Sequence, residues 1–141
     1  MQKENDLLTE RVDIYKELNK QDEEKLTKTN SELEALAKKY GVTAEFDEYG
    51  NPTQKFADAL WAAEQAAEKA AYDANYSAEE AYNAIDSDKK NKNKKQEAEN
   101  DKTKAGENLE NVKQDREKIA KLLKESSDLV YDIHGREIKI L

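Results

Sequence analysis

Residues 40–53 read YGVTAEFDEYGNPT, and this stretch decides how the rest of the chain is divided. It holds Gly41 and Gly50, two of the four glycines, and Pro52, the only proline. Gly41 follows a helix-like run ending in Leu36, Ala37 and Tyr40, and a residue free to adopt positive φ ends a helix there without a Cβ penalty. Residues 42–46 (VTAEF) are partly β-branched or aromatic and roughly alternate, and Asp47 to Gly50 has the composition of a tight turn. Asn51 followed by Pro52 matches an N-cap with proline at the first helical position, where the missing N–H costs nothing. The stretch therefore predicts a helix stop at about Tyr40, a turn over 41–51 with β-hairpin-like character near 42–51, and a second helix opening at residue 52.

Working outward, residues 3–40 carry Leu8, Val12, Tyr15, Leu26, Leu33, Leu36 and Tyr40 at alternating steps of four and three, once Asn19, Asp22 and Thr29 are admitted to the same line. That is a coiled-coil-like stripe with a polar middle, widened by Leu7, Ile14 and Leu18 beside it. Glu24 with Lys28 and Glu34 with Lys38 are favourably oriented i,i+4 pairs. Downstream of the turn, Leu60, Ala63, Ala67, Ala70, Ala74 and Ala81 continue the four-three alternation from Phe56, and this helix-packing seam of alanines lets a neighbouring backbone approach closely. Ser77 with Glu79 and Glu80 resembles a helix start, so a break near Tyr76 stays open.

Residues 86–104 (DSDKKNKNKKQEAENDKTK) hold one apolar residue, Ala98, and across 89–104 seven lysines face three acids. Single-strand nucleic-acid binding asks for aromatics interleaved with the lysines, and none is present, so the patch reads as a solvated connection between helices. A hairpin turning within 86–95 is preferred to one continuous rod, because two matched arms bury each other. The pattern resumes with Leu109, Val112, Ile119, Ala120, Leu122 and Leu123, although Gly106 costs about 1 kcal/mol inside a helix relative to alanine. The end, LVYDIHGREIKIL, changes period: 137–141 alternates, and His134-Gly135 reads as the turn of a small hairpin over 129–141. Tyr131, Asp132, His134 and Gly135 also echo Phe46, Asp47, Tyr49 and Gly50, as a helix-plus-hairpin repeat would.

The expected architecture is thus mainly α: one elongated helical unit over 1–141, with long antiparallel helices at about 3–40, 52–88 and 95–128 in a coiled-coil or three-helix arrangement. Composition agrees. Of the 141 residues 40% are charged and 36% hydrophobic, 18 of them alanine, against roughly 25% charged in a typical soluble domain. Such a chain has no thick core, and self-association through the alanine face is the expected remedy. The absence of cysteine excludes disulfides and thiolate metal sites. MQKENDLLTE has no signal-peptide layout, and no apolar run approaches the ~20 residues of a membrane span, so a soluble protein without membrane insertion is expected. A net charge of -8 disfavours nucleic acid as a general partner.

Chemistry is sparsely marked. His134 is the only histidine and has no dyad or triad partner in the pattern. Asp47, Glu48 and Asn51 lack the alternate-position oxygens of a calcium loop, and a glycine-rich phosphate loop is missing. No catalytic residue, metal ligand, cofactor or small-molecule substrate is expected, and an enzyme is the reading least favoured.

The segments ENDLLTERVDIYKELNKQ, LEALAKKYGVTAEFDEYGNPTQKF and the alanine-rich helix with YSAEEAYNAI together resemble the helical region of tail tape measure proteins of phages of Gram-positive bacteria. The matching positions are Tyr40, Gly41, Val42, Thr43, Phe46, Asp47, Gly50 and Asn51, and the likeness covers roughly residues 4–85. It implies a structural protein whose extended helices set tail length during assembly. Its partners would be itself, as a homo-oligomer, and other tail proteins; its location would be the host cytoplasm, then the virion tail. It also implies that these residues are a segment of a much longer chain. The alternative of a different class is a small acidic helical protein that binds and inhibits a partner, presenting carboxylates where a nucleic acid would sit.

Overall fold

The computed structural model describes residues 2–86 and 89–140, so the expected end of helix two at 88 and the final residue of the expected C-terminal hairpin lie outside the described residues. The chain is mainly helical (88%), with three helices packing against each other and no strand among the described residues. Helix α1 is Gln2–Lys39, α2 is Gln54–Ala84 and α3 is Lys92–Ile140, preceded by one 3-10 turn at Lys89–Asn91. The chain forms two compact units: one takes the residues up to Asp58 together with those from Ile119 onward, and the other is Ala59–Lys118.

In the first unit α1 lies against the last part of α3. Val12, Tyr15, Asn19, Asp22, Leu26, Thr29, Leu33 and Leu36 of α1, with Tyr40 just after it, are withdrawn from solvent and trace the heptad line with its polar middle; Asn30, Glu32 and Ala37 beside that line are withdrawn as well. Asn19 and Asp22 on that line, and Asn30 beside it, are matched rather than merely tolerated, as buried groups must be. Asn19 Nδ2 donates to the Ile133 carbonyl at 3.3 Å, and Arg136 donates to Asn19 Oδ1 at 3.4 Å and pairs with Asp22. Ser126 Oγ donates to Asn30 Oδ1 at 2.7 Å. Rising numbers on α1 thus meet falling numbers on α3.

The expected hairpin over 129–141 is not found: α3 runs without interruption to Ile140. Gly135 keeps a helical backbone and is absent from the positive-φ positions. The physical reason lies upstream. Ile119, Leu122, Ser126, Ile133 and Arg136 continue one three-four line facing α1, and the contacts of Arg136 outweigh the ~1 kcal/mol helix cost of glycine. Five alternating residues at the end are too short a signal against that line, and the supposed repeat of the 46–50 turn disappears with the hairpin.

The second unit pairs α2 with the first part of α3. Ala71, Leu109 and Val112 form its buried cluster, with Ala67 packed against them. Small residues meet here: a Cβ at Gly106 would stand 3.6 Å from Asn75 Oδ1. Arg116 pairs with Glu68 at 2.8 Å, while Lys95 Nζ donates to the carbonyls of Tyr82 and Ile85 at 2.8 and 2.9 Å and lies 3.9 Å from the centre of the Tyr82 ring. This lysine caps the end of α2, adding to the Ile85 N–H bond at the Tyr82 carbonyl and satisfying the Ile85 carbonyl just beyond the helix. Lys102 lies 4.8 Å from the same ring. The basic stretch is therefore largely helical, α3 opening at Lys92 rather than near 95, and there is no break at Tyr76.

Candidate functional site

The stretch 40–53 is an elaborately bonded connection. At the end of α1 the Val42 N–H donates to Ala37 O at 2.8 Å and the Gly41 N–H to Lys38 O at 3.2 Å. These are the two bonds of a Schellman stop, with Gly41 at φ 70° as its left-handed residue. Asp47 then organises the turn: its Oδ1 accepts from the N–H groups of Tyr49 and Asn51 at 2.9 and 3.0 Å, while its own N–H donates to Asn51 O. Gly50 has φ 88°, and a Cβ on it would sit 3.1 Å from Leu26 Cδ2. Its carbonyl accepts from Asn30 Nδ2 at 2.7 Å, so Asn30 ties α1 to both the turn and Ser126 of α3. Ser127 Oγ donates to Asn51 Oδ1 at 2.9 Å, and Phe46 packs edge-on against Phe56 with ring centres 5.6 Å apart.

Two expectations change here. The β-hairpin-like segment near 42–51 reduces to a single antiparallel bridge between Phe46 and Pro52. The bonds flanking that bridge, Asp47 N–H to Asn51 O and Thr53 N–H to Glu45 O, are as far as the pairing extends, because the chain enters α2 at Gln54. The N-cap is Thr53, not Asn51: its Oγ1 accepts from the Phe56 N–H at 3.2 Å, and α2 opens at Gln54. Asn51 is engaged by Asp47 and Ser127 and is not available to cap.

Beside the turn lies a recess of about 200 Å³, with Leu26 and Ile133 as its floor and Glu23, Glu48, Tyr49, His134 and Glu137 around it. The rings of Tyr49 and His134 stand 5.4 Å apart. His134 is thus a residue of a continuous helix, not of a turn, and faces Glu137 at 3.9 Å. Asp47 and Asn51 are occupied in turn bonding, and among the described residues no group of three or more acidic, histidine or cysteine side chains could hold a metal ion.

The alanine seam divides. Leu60 is buried and Ala63 and Ala67 are half-buried, but Ala70, Ala74 and Ala81 are exposed. The withdrawn line instead runs Phe56, Leu60, Glu64, Ala67, Ala71, Asn75, Ala78, Tyr82 and Ile85. Its steps of four, four and three follow the ~3.6-residue period of a straight helix, which slips against a strict heptad by about 20° per repeat. Glu64 is the residue that the heptad reading missed. It is fully buried, and no donor group reaches either carboxyl oxygen among the described residues, so a bond there requires a proton on a carboxyl itself. Burial is the largest cause pushing its pKa up to about 7, followed by the adjoining Glu68 as hydrogen-bond partner and as like charge; Arg116 opposes the shift and Asp115 adds to it. Two ionised carboxylates only accept and cannot bond each other, so the Glu68 bond exists only with a proton between them. Isolated carboxylates are ordinarily surface residues, and nothing in the local sequence marks this one as buried.

No protein-family model matches the sequence, and comparison with curated proteins and with solved structures finds no match.

Proposed function

We propose that the chain is a structural, non-enzymatic helical element whose arms pair as antiparallel coiled coils, and that its specific role is the one implied by its likeness to tail tape measure proteins. The observation that carries this reading is the turn: Gly41, Phe46, Asp47, Gly50 and Asn51, the residues of the likeness, each have a defined structural task there. Long helices of 38, 31 and 49 residues joined by such a fixed connection suit a spacer. Exposed Ala70, Ala74 and Ala81 on α2 support close pairing with a second copy. On this reading the partners are further copies and other tail proteins, met first in the host cytoplasm and then in the virion tail.

The test is an in-frame deletion of Ala59–Lys118 in the phage that carries the gene. Because the two arms of Ala59–Lys118 fold back on each other, a length-setting helix predicts tails shorter by roughly 40 Å, the length of one arm at ~1.5 Å per residue. Tails of unchanged length would refute the role. The acidic binder remains as a second reading, favoured by the net charge of -8 and by the recess bordered by Glu23, Glu48 and Glu137; saturable, salt-sensitive capture of a basic nucleic-acid-binding protein would support it.

A further inference from the structure

The Glu64 cluster has no part in the spacer role, yet it places an acid where a helix pair would ordinarily place an apolar residue. We propose that Glu64, with Glu68, Asp115 and Arg116 around it, is a proton-operated latch on the pairing of α2 and α3 within Ala59–Lys118. The pair is closed while Glu64 carries a proton and loosens when that proton leaves to water.

The geometry supplies each part. Glu64 is fully buried and no donor group reaches either of its oxygens among the described residues, so its ionised form has neither water nor a donor to stabilise it. The charged groups acting on it come from both helices: Glu68 on α2, one turn along, and Asp115 and Arg116 on α3. Arg116 is already engaged by Glu68 at 2.8 Å, and its side chain is 46% exposed. It therefore offsets only part of the charge that ionised Glu64 would add. With a proton, Glu64 becomes a donor whose acceptor is the Glu68 carboxylate, and a chain from Glu64 through Glu68 to Arg116 joins the two helices. Without it, the charge on Glu64 is opposed by Glu68 and Asp115 and eased only by Arg116, and the contact formed by Ala67, Ala71, Leu109 and Val112 is the neighbouring packing that gives way. The working range of the latch lies around neutrality, where burial and Glu68 bring the Glu64 carboxyl.

The experiment is a carbon-13 carboxyl titration of the full chain together with amide hydrogen exchange at pH 5.5 and 8.5, corrected for intrinsic exchange. The latch predicts a Glu64 midpoint near 7. It also predicts that protection over 64–71 and 109–116 falls at least about tenfold more between the two pH values in the wild type than in Glu64→Gln. A midpoint in the ordinary glutamate range, or the same loss of protection in both proteins, overturns the proposal. Should Glu64→Gln not fold, Glu68→Gln gives an independent reading: removing the like charge and offering an amide N–H to the ionised form lowers the Glu64 midpoint, and an unchanged midpoint refutes the cluster.

Discussion

Replacing Gly50 by alanine imposes two penalties at one residue, and a second glycine allows them to be separated. At φ 88° an L-residue is strained by roughly 1–2 kcal/mol. The new Cβ would also stand 3.1 Å from Leu26 Cδ2 and 3.6 Å from Asn30 Nδ2. Leu26 is in the core, so relief comes by moving the turn away from α1, which stretches the 2.7 Å bond from Asn30 to the Gly50 carbonyl. Losing that bond adds about 1 kcal/mol, for a total of roughly 2–3 kcal/mol. Gly41 has φ 70° with nothing within 4 Å of the added Cβ, so Gly41→Ala carries the conformational part alone, roughly 1–2 kcal/mol. Urea unfolding of the two variants and the wild type measures the difference. If Gly50→Ala were no more costly than Gly41→Ala, the seating of the turn on Leu26 and Asn30 would be refuted.

The other two glycines should respond with the opposite sign: Gly106→Ala and Gly135→Ala lie in helical backbone with room for a methyl group and should each stabilise by up to about 1 kcal/mol in thermal melts. Gly41→Val, with a β-branched side chain at the helix stop, should cost at least about 1 kcal/mol by the same assay. Thr53→Ala removes the N-cap of α2 and should cost about 1 kcal/mol in urea unfolding, whereas Pro52→Ala should cost less. Because the Glu64 carboxyl is raised from 4.5 to about 7 in the folded chain, its favourable contribution is complete below pH 4.5 and is lost as pH rises through 7. Stability should therefore decline by at most about 3 kcal/mol between those values, and Glu64→Gln should remove that slope in urea titrations.

What the sequence disclosed depended on how far each signal was local. The stop at Gly41 needs only a glycine after an amphipathic run, and the α1 line from Val12 to Tyr40 needs only the count of residues, so both were legible, including the polar Asn19, Asp22 and Thr29. The α2 line was legible at Phe56, Leu60 and Ala67 but not at Glu64 or beyond Ala67, because a strict heptad was imposed on a helix winding at its own period. Gly135 misled because a glycine beside a polar residue signals a turn only when no partner helix holds the flanking residues, and here Asn19 and Asp22 hold Arg136. Asn30 and Glu64 could not be read at all. Their roles come from Gly50, Ser126, Glu68 and Arg116, residues four to ninety-six positions away in the chain.

The central claim is that the 47–51 turn is seated where α1 and the last part of α3 meet, with α3 helical through Gly135. His134 is the only histidine, so its ring protons are unambiguous in a proton NMR spectrum. With the ring centres 5.4 Å apart, the account predicts nuclear Overhauser contacts between His134 and the Tyr49 ring, together with helical carbon shifts over 129–139. Absence of those contacts, with extended shifts over 137–139, would contradict it.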